Sequence, residues 1–184
     1  MKYYLSVFAL LPAPAFAHGG HLGDLAFMSG IAHPLGGADH VMAMVAVGLW
    51  AASLGGRAIW SLPAAFVVAM CLGGVVGALG LPLPWVEPGI LVSILILGGL
   101  VSLAVRASPI QGAALVAMFG LFHGHAHGAE GPADGMVFYA AGFILSSLAL
   151  HLMGLLTGRM LHGAALRVLG GATAMGAVAL AMGG

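Results

Sequence analysis

Six long apolar segments constrain what this chain can become. The first ends near Leu54 and begins somewhere between Asp24 and Ala38. The others run from about Ile59 to Leu79, Pro88 to Val105, Ile110 to His125, Met136 to Leu156 and Ala164 to Met182. Most reach the roughly 20 residues that take an α-helix across a hydrocarbon core, although the fourth must borrow from its flanks. Lipid offers no water to satisfy a backbone amide or carbonyl, so only helices and closed barrels can cross it. These segments are too long for barrel strands. Of the 184 residues 61% are hydrophobic and only 5% charged, whereas a soluble domain carries roughly a quarter charged residues. The predicted fold is an all-α integral membrane protein, a bundle of six transmembrane helices. Its 31 glycines suit close helix packing and broken helices.

Met1 to Ala17 reads as a signal peptide. Lys2 gives a positive start, Leu5 to Leu11 is apolar, and Ala15-Phe16-Ala17 ends in small residues at the positions a signal peptidase reads. Cleavage after Ala17 leaves residues 18–184 as one six-helix domain. Its free terminus, His18-Gly19-Gly20-His21, combines an α-amine with two imidazoles and can capture a soft divalent ion. Arg57, Arg106, Arg159 and Arg167 all fall at odd-numbered connections, whereas Gly80 to Glu87 and His127 to Gly135 contain no lysine or arginine. The positive-inside rule then places the arginine loops in the cytoplasm and both mature termini outside a bacterial inner membrane.

Two polar clusters interrupt this apolar chain. The first is His33-Pro34-Leu35-Gly36-Gly37-Ala38-Asp39-His40, followed by the uncharged stretch Val41 to Leu54. Ionisable groups at the mouth of an apolar helix are costly unless they are paired, bound to something or wetted by a pathway. Counting back from Arg57, His40 lies about 25 Å from the inner end of its helix, near the outer mouth. His33 shares its face if the helix is continuous, and Pro34 with the glycine pair makes a break the alternative. Asp39 is turned about 100° from His40, but at a kinked end both can face one cavity. Met44, one turn below His40, is either a thioether ligand or ordinary packing.

The second cluster is His123-Gly124-His125-Ala126-His127-Gly128-Ala129-Glu130. His123 and His127 are spaced i,i+4, which lets two imidazoles on one helical face reach one ion. Glu130 can join them from the loop, and His125, turned about 160° from His127, is peripheral. Gly120, Gly124 and Gly128 form a small-residue stripe for a close neighbour, expected to be the helix of His40. Glu87 precedes a helix beside Trp85 and reads as a cap, yet lies at the depth of both clusters. Asp24 and Asp134 read as end caps only. His151 is deeper, about 12 Å above Arg159, and is read as a station for an ion moving inward.

Imidazoles with carboxylates suit borderline divalent cations, whereas magnesium and calcium call for mostly oxygen ligands. The expected partners are therefore a transition-metal ion and the bilayer, with a homo-oligomer left open. No prosthetic group is expected, and the ion is cargo. Other classes are weighed on the same residues. There is no basic tract for nucleic acid, no Walker motif for ATP and no HExxH for a zinc hydrolase. Lys2 is the only lysine, so the bundle has no Schiff-base partner for retinal. A membrane metal sensor or storage module, and a histidine-ligated haem protein or metal enzyme, are the alternatives.

The same residues carry a resemblance. HPLGGADHVMAMVAVGLW, from His33 to Trp50, and FHGHAHGAE, from Phe122 to Glu130, resemble the two signatures of the HupE/UreJ family of nickel and cobalt permeases. The resemblance extends over the whole chain and implies import of nickel or cobalt through a secondary permease. It places functional positions on His33, Asp39, His40, Glu87, His127 and Glu130, with Phe66 as a supporting aromatic. It also raises Glu87 above Met44 and matches His123 to the first histidine of the second signature. The expected ligand set is therefore His18, His21, His33, Asp39, His40, Glu87, His123, His127, Glu130 and His151.

Overall fold

The computed structural model describes residues 20–183, and every regular element among them is an α-helix. There are seven: α1 (Gly20–Gly36), α2 (Ala38–Leu54), α3 (Ala58–Ala78), α4 (Val86–Ser102), α5 (Pro109–Glu130), α6 (Met136–Met160) and α7 (Ala164–Gly183). The signal peptide and His18 lie outside the described residues.

The seventh helix arises because the first apolar segment is broken. Pro34 is accommodated inside α1, and the chain turns at Gly37, which is extended (φ −104°, ψ 118°) and begins α2. The two axes meet at 82°. His33 is thus helical, but it does not share a continuous face with His40. A helix end leaves its last carbonyls without intrahelical partners, so the break puts polar backbone beside the first histidine cluster.

At the other histidine cluster the helix is longer than its apolar core. Ser108 and Gln111 form a reciprocal capping box, with Pro109 at the first helical position, and α5 then runs 22 residues to Glu130. The whole stretch from Phe122 to Glu130 is helical, so Glu130 joins His123 and His127 from the same helix rather than from a loop.

By length and composition α3, α6 and α7 can each cross a membrane, and the bent pair α1–α2 makes a fourth candidate. The 17 residues of α4 are apolar but short. Large aliphatic side chains such as Leu72, Val75, Leu145, Leu152 and Leu156 point outward, while Ser93, His123, His127, Ser147 and His151 are buried. Apolar outside and polar inside is the arrangement lipid selects.

Glycines set the helix pairs. A Cβ on Gly120 or Gly124 would fall on the carbonyl of Phe66 or Met70, and one on Gly73 or Gly77 on the carbonyl of Leu121 or His125. The small-residue stripe of α5 therefore faces α3, not the helix of His40 as expected, because α3 carries the answering glycines. Along this pair both residue numbers rise together, so α3 and α5 are parallel. The pair α2–α6 is parallel as well, joined through Gly154 against Val45 and Gly158 against Leu49, whereas α4 and α7 run antiparallel, with Gly98 against Ala174 and Gly170 against Ser102.

Charge is sorted between the two ends. Arg106 donates to the Ser53 carbonyl at 3.2 Å and Arg167 to the Ser102 carbonyl at 2.8 Å, while Trp50 Nε1 donates to the Val105 carbonyl at 3.3 Å. Arginines thus gather where α2 and α4 end and α5 and α7 begin. Glu87 and Glu130 lie at the opposite end, with Asp39.

Candidate metal centre

Three helices bring the two histidine clusters together at the end opposite the arginines. His40 comes from the first turn of α2, His123 and His127 from the last two turns of α5, and His33 from α1. The ring centroids of His40 and His127 are 4.3 Å apart, those of His40 and His123 5.2 Å, and those of His33 and His127 4.8 Å. Two overlapping sets of candidate ligands result. His40, His123 and His127 form one, and His33, His127 and Glu130 the other, with the ligand atoms within 4.8 Å of one another in each. His127 belongs to both.

The outer set is open to solvent. His33 Nε2 lies 3.4 Å from Glu130 Oε2, and both residues are partly exposed. His33 also lines a cavity of about 430 Å³ with Ser29, Ala32, Gly36, Gly37, Asp39 and His40, at the break between α1 and α2. The inner set lies deeper, with His40 partly buried at its mouth. His123 is 0% and His127 4% exposed. Four nitrogens that could bind an ion, His40 Nε2, His123 Nδ1 and both of His127, are buried without a hydrogen-bond partner among the described residues. Buried polar atoms are nearly always satisfied, and these four unpaired nitrogens, with one lone pair from each of three neutral imidazoles, are a set that could hold a cation.

Asp39 works through His40. Its Oδ1 accepts from His40 Nδ1 at 2.7 Å and from the His40 backbone N–H at 2.9 Å. That fixes the proton on Nδ1 and leaves the Nε2 lone pair free to bind an ion, with the carboxylate raising its basicity. Asp39→Ala is expected to weaken nickel binding about 10- to 100-fold, and Asp39→Asn, which can still accept that bond, less. Calorimetric titration of purified protein measures both. Equal affinity in Asp39→Ala and the native chain defeats this assignment.

Below the inner set stands Phe66, whose ring lies 5.4 Å from His123 and 5.2 Å from His151. His151 is 2% exposed, and neither of its nitrogens has a partner among the described residues. Imidazoles therefore descend from the rim through His33, His127, His40 and His123 to Phe66 and then His151.

The remaining sequence candidates fall outside this file. Glu87 is exposed in the first turn of α4 and belongs to neither ligand set, since the face of α4 turned into the bundle starts with Ile90 and Ser93. His125 donates its Nε2–H to the Leu81 carbonyl at 2.8 Å, which ties the α3–α4 connection to α5. Met44 is fully buried in the apolar core with Trp50, Phe66 and Phe119. His21 lies in α1, outside the residues whose side chains are described. Sequence reading missed Ser93, Tyr139 and Phe143. Serines and aromatics in apolar helices carry no spacing signal, and only packing brings Tyr139 and Phe143 to 5.7 and 6.3 Å from His33.

A helical bundle that is apolar outside and holds a file of imidazoles inside has the build of a membrane protein. The chain belongs to the HupE / UreJ protein family, whose description it matches over residues 6–183. It is also 41% identical over 192 residues to Protein HupE of Rhizobium leguminosarum bv. viciae, with the whole of both chains covered. The family is one of transporters, not enzymes, which removes the metal-enzyme alternative. No solved structure matches the chain.

Proposed function

We propose that this protein is a secondary permease that imports nickel or cobalt across the bacterial inner membrane into the cytoplasm. The observation that carries the reading is the sharing of His127 between the two ligand sets. An ion held by His33, His127 and Glu130 at the rim can pass to His40, His123 and His127 without leaving protein ligands, because His127 stays bound while its partners exchange. A conducting site must let go of its ion, and incomplete three-ligand sets serve that better than a closed cage. His151, beyond Phe66, receives the ion next. His18 and His21 collect it outside, and Glu87 at the same end adds negative charge to the approach.

The proposed topology has six crossings after a cleaved signal peptide, with α1–α2 as one kinked crossing. It is supported by the parallel pairs α2–α6 and α3–α5, each separated by an even number of crossings. The arginine end then faces the cytoplasm. A divalent cation moving inward gains about 4.6 kcal/mol per 100 mV of membrane potential, twice the single-charge value, so ion entry is downhill without ATP.

The test is uptake into sealed proteoliposomes, with nickel and cobalt supplied separately. The native chain is expected to accumulate at least one of the two ions, and His40→Ala markedly less of it. Tight binding with no flux in inward-competent vesicles points instead to a sensor or storage module.

A further inference from the structure

We propose that Ser93 is a positioning residue that presents His123 to the metal through Nδ1, and that it makes His123 a weaker ligand than His40. Ser93 is 0% exposed and lies on the face of α4 that turns into the bundle. Its hydroxyl contacts two acceptor-capable atoms, the Ile90 carbonyl at 2.6 Å and His123 Nε2 at 3.1 Å. A serine hydroxyl has one hydrogen to give. The carbonyl can only accept, so that hydrogen goes to Ile90, and towards His123 the Ser93 oxygen must accept. His123 is therefore protonated on Nε2, and its lone pair sits on Nδ1.

The orphaned atoms are compatible with this assignment. His123 Nδ1 is buried without a partner, as is His40 Nε2, the nitrogen that Asp39 leaves free. The two imidazoles are thus held in opposite tautomers by two different partners. Their chemistry differs too. A carboxylate behind an imidazole makes it a stronger donor to a metal, and a neutral hydroxyl that is already donating elsewhere does so far less. Of these two, His40 grips the ion more strongly and His123, the ligand nearest Phe66 and His151, less. Such a gradient favours release inward.

The proposal rests on the permease reading for its purpose, but its test does not depend on flux. In metal-free protein labelled with nitrogen-15 at histidine, the ring shifts of His123 are expected to show a protonated Nε2 and a bare Nδ1. The reverse tautomer in the native chain overturns the assignment, whether or not any variant folds. With cobalt as the probe, Ser93→Ala is expected to bind about 10- to 100-fold more weakly and to change the visible spectrum of the bound ion. Ser93→Thr, whose hydroxyl can make the same bond to the carbonyl three residues back, is expected to restore both. Unchanged affinity and spectrum in a folded Ser93→Ala protein also defeats the proposal. A native chain with the expected tautomer that fails to transport in vesicles leaves Ser93 in its role and removes the permease.

Discussion

Replacing His127 by alanine is expected to abolish metal uptake, with a loss of at least about a hundredfold, beyond the 10- to 100-fold seen when an outer partner of a metal ligand is removed. His127 contributes to both ligand sets, so its removal leaves two ligands in each and breaks the hand-over between them. His33→Ala and His123→Ala each damage one set and are expected to lose less. The imidazole of His127 makes no hydrogen bond among the described residues, so folding does not depend on one. Because the sets share this residue, the losses are non-additive. Adding His33→Ala to His127→Ala is expected to change uptake little further. Initial-rate measurements on the singles and the double decide the matter. A fully additive double variant shows that the two sets work independently and that the relay is wrong.

The second large effect is structural. Gly124 lies between His123 and His127, and a Cβ there would fall on the carbonyl of Met70 in α3. Backbone cannot be pushed aside as a flexible side chain can, so Gly124→Ala forces α3 and α5 apart. Overpacking typically costs about 1–3 kcal/mol, and Gly124→Val is expected to exceed that range. The displacement also moves the two histidines that α5 contributes, so uptake falls with stability. Gly99→Ala is the control, since nothing lies within 4 Å of a Cβ at that helical position. There the loss of glycine's backbone freedom is expected to stabilise by about 0.5–1 kcal/mol. Denaturant titration in detergent micelles measures all three. A Gly124→Ala protein as stable as the native chain means the interface is looser than its geometry.

Much of this was legible in the residues. Apolar runs of helical length with so little charge exclude a soluble fold, because lipid penalises an unsatisfied backbone group wherever it occurs. The spacing of His123 and His127 puts both on one face of a helix whatever that helix packs against, whereas Glu130, read as a loop residue, joins that helix only in the structure. Pro34 with Gly36 and Gly37 announced a break. The donor chemistry of imidazole and carboxylate named the class of ion before any distance was known.

Other features required the assembled bundle. The sequence offered α5's glycine stripe to the helix of His40, and packing gave it to α3, because only there do opposing glycines let two backbones meet. Glu87 looked equal in depth to the histidines, yet a residue's depth along a helix says nothing about where the helix stands around the bundle. Ser93 was invisible, since a hydroxyl in an apolar helix acquires meaning only from the neighbour it meets. What the sequence alone determined is what depends on periodicity and solvation: helices, lipid, and imidazoles at two depths. What only the tertiary structure decided is what depends on contact between segments distant in the chain: that His127 lies within reach of both groups of candidate ligands, that Phe66 stands between His123 and His151, and that a serine from α4 meets His123.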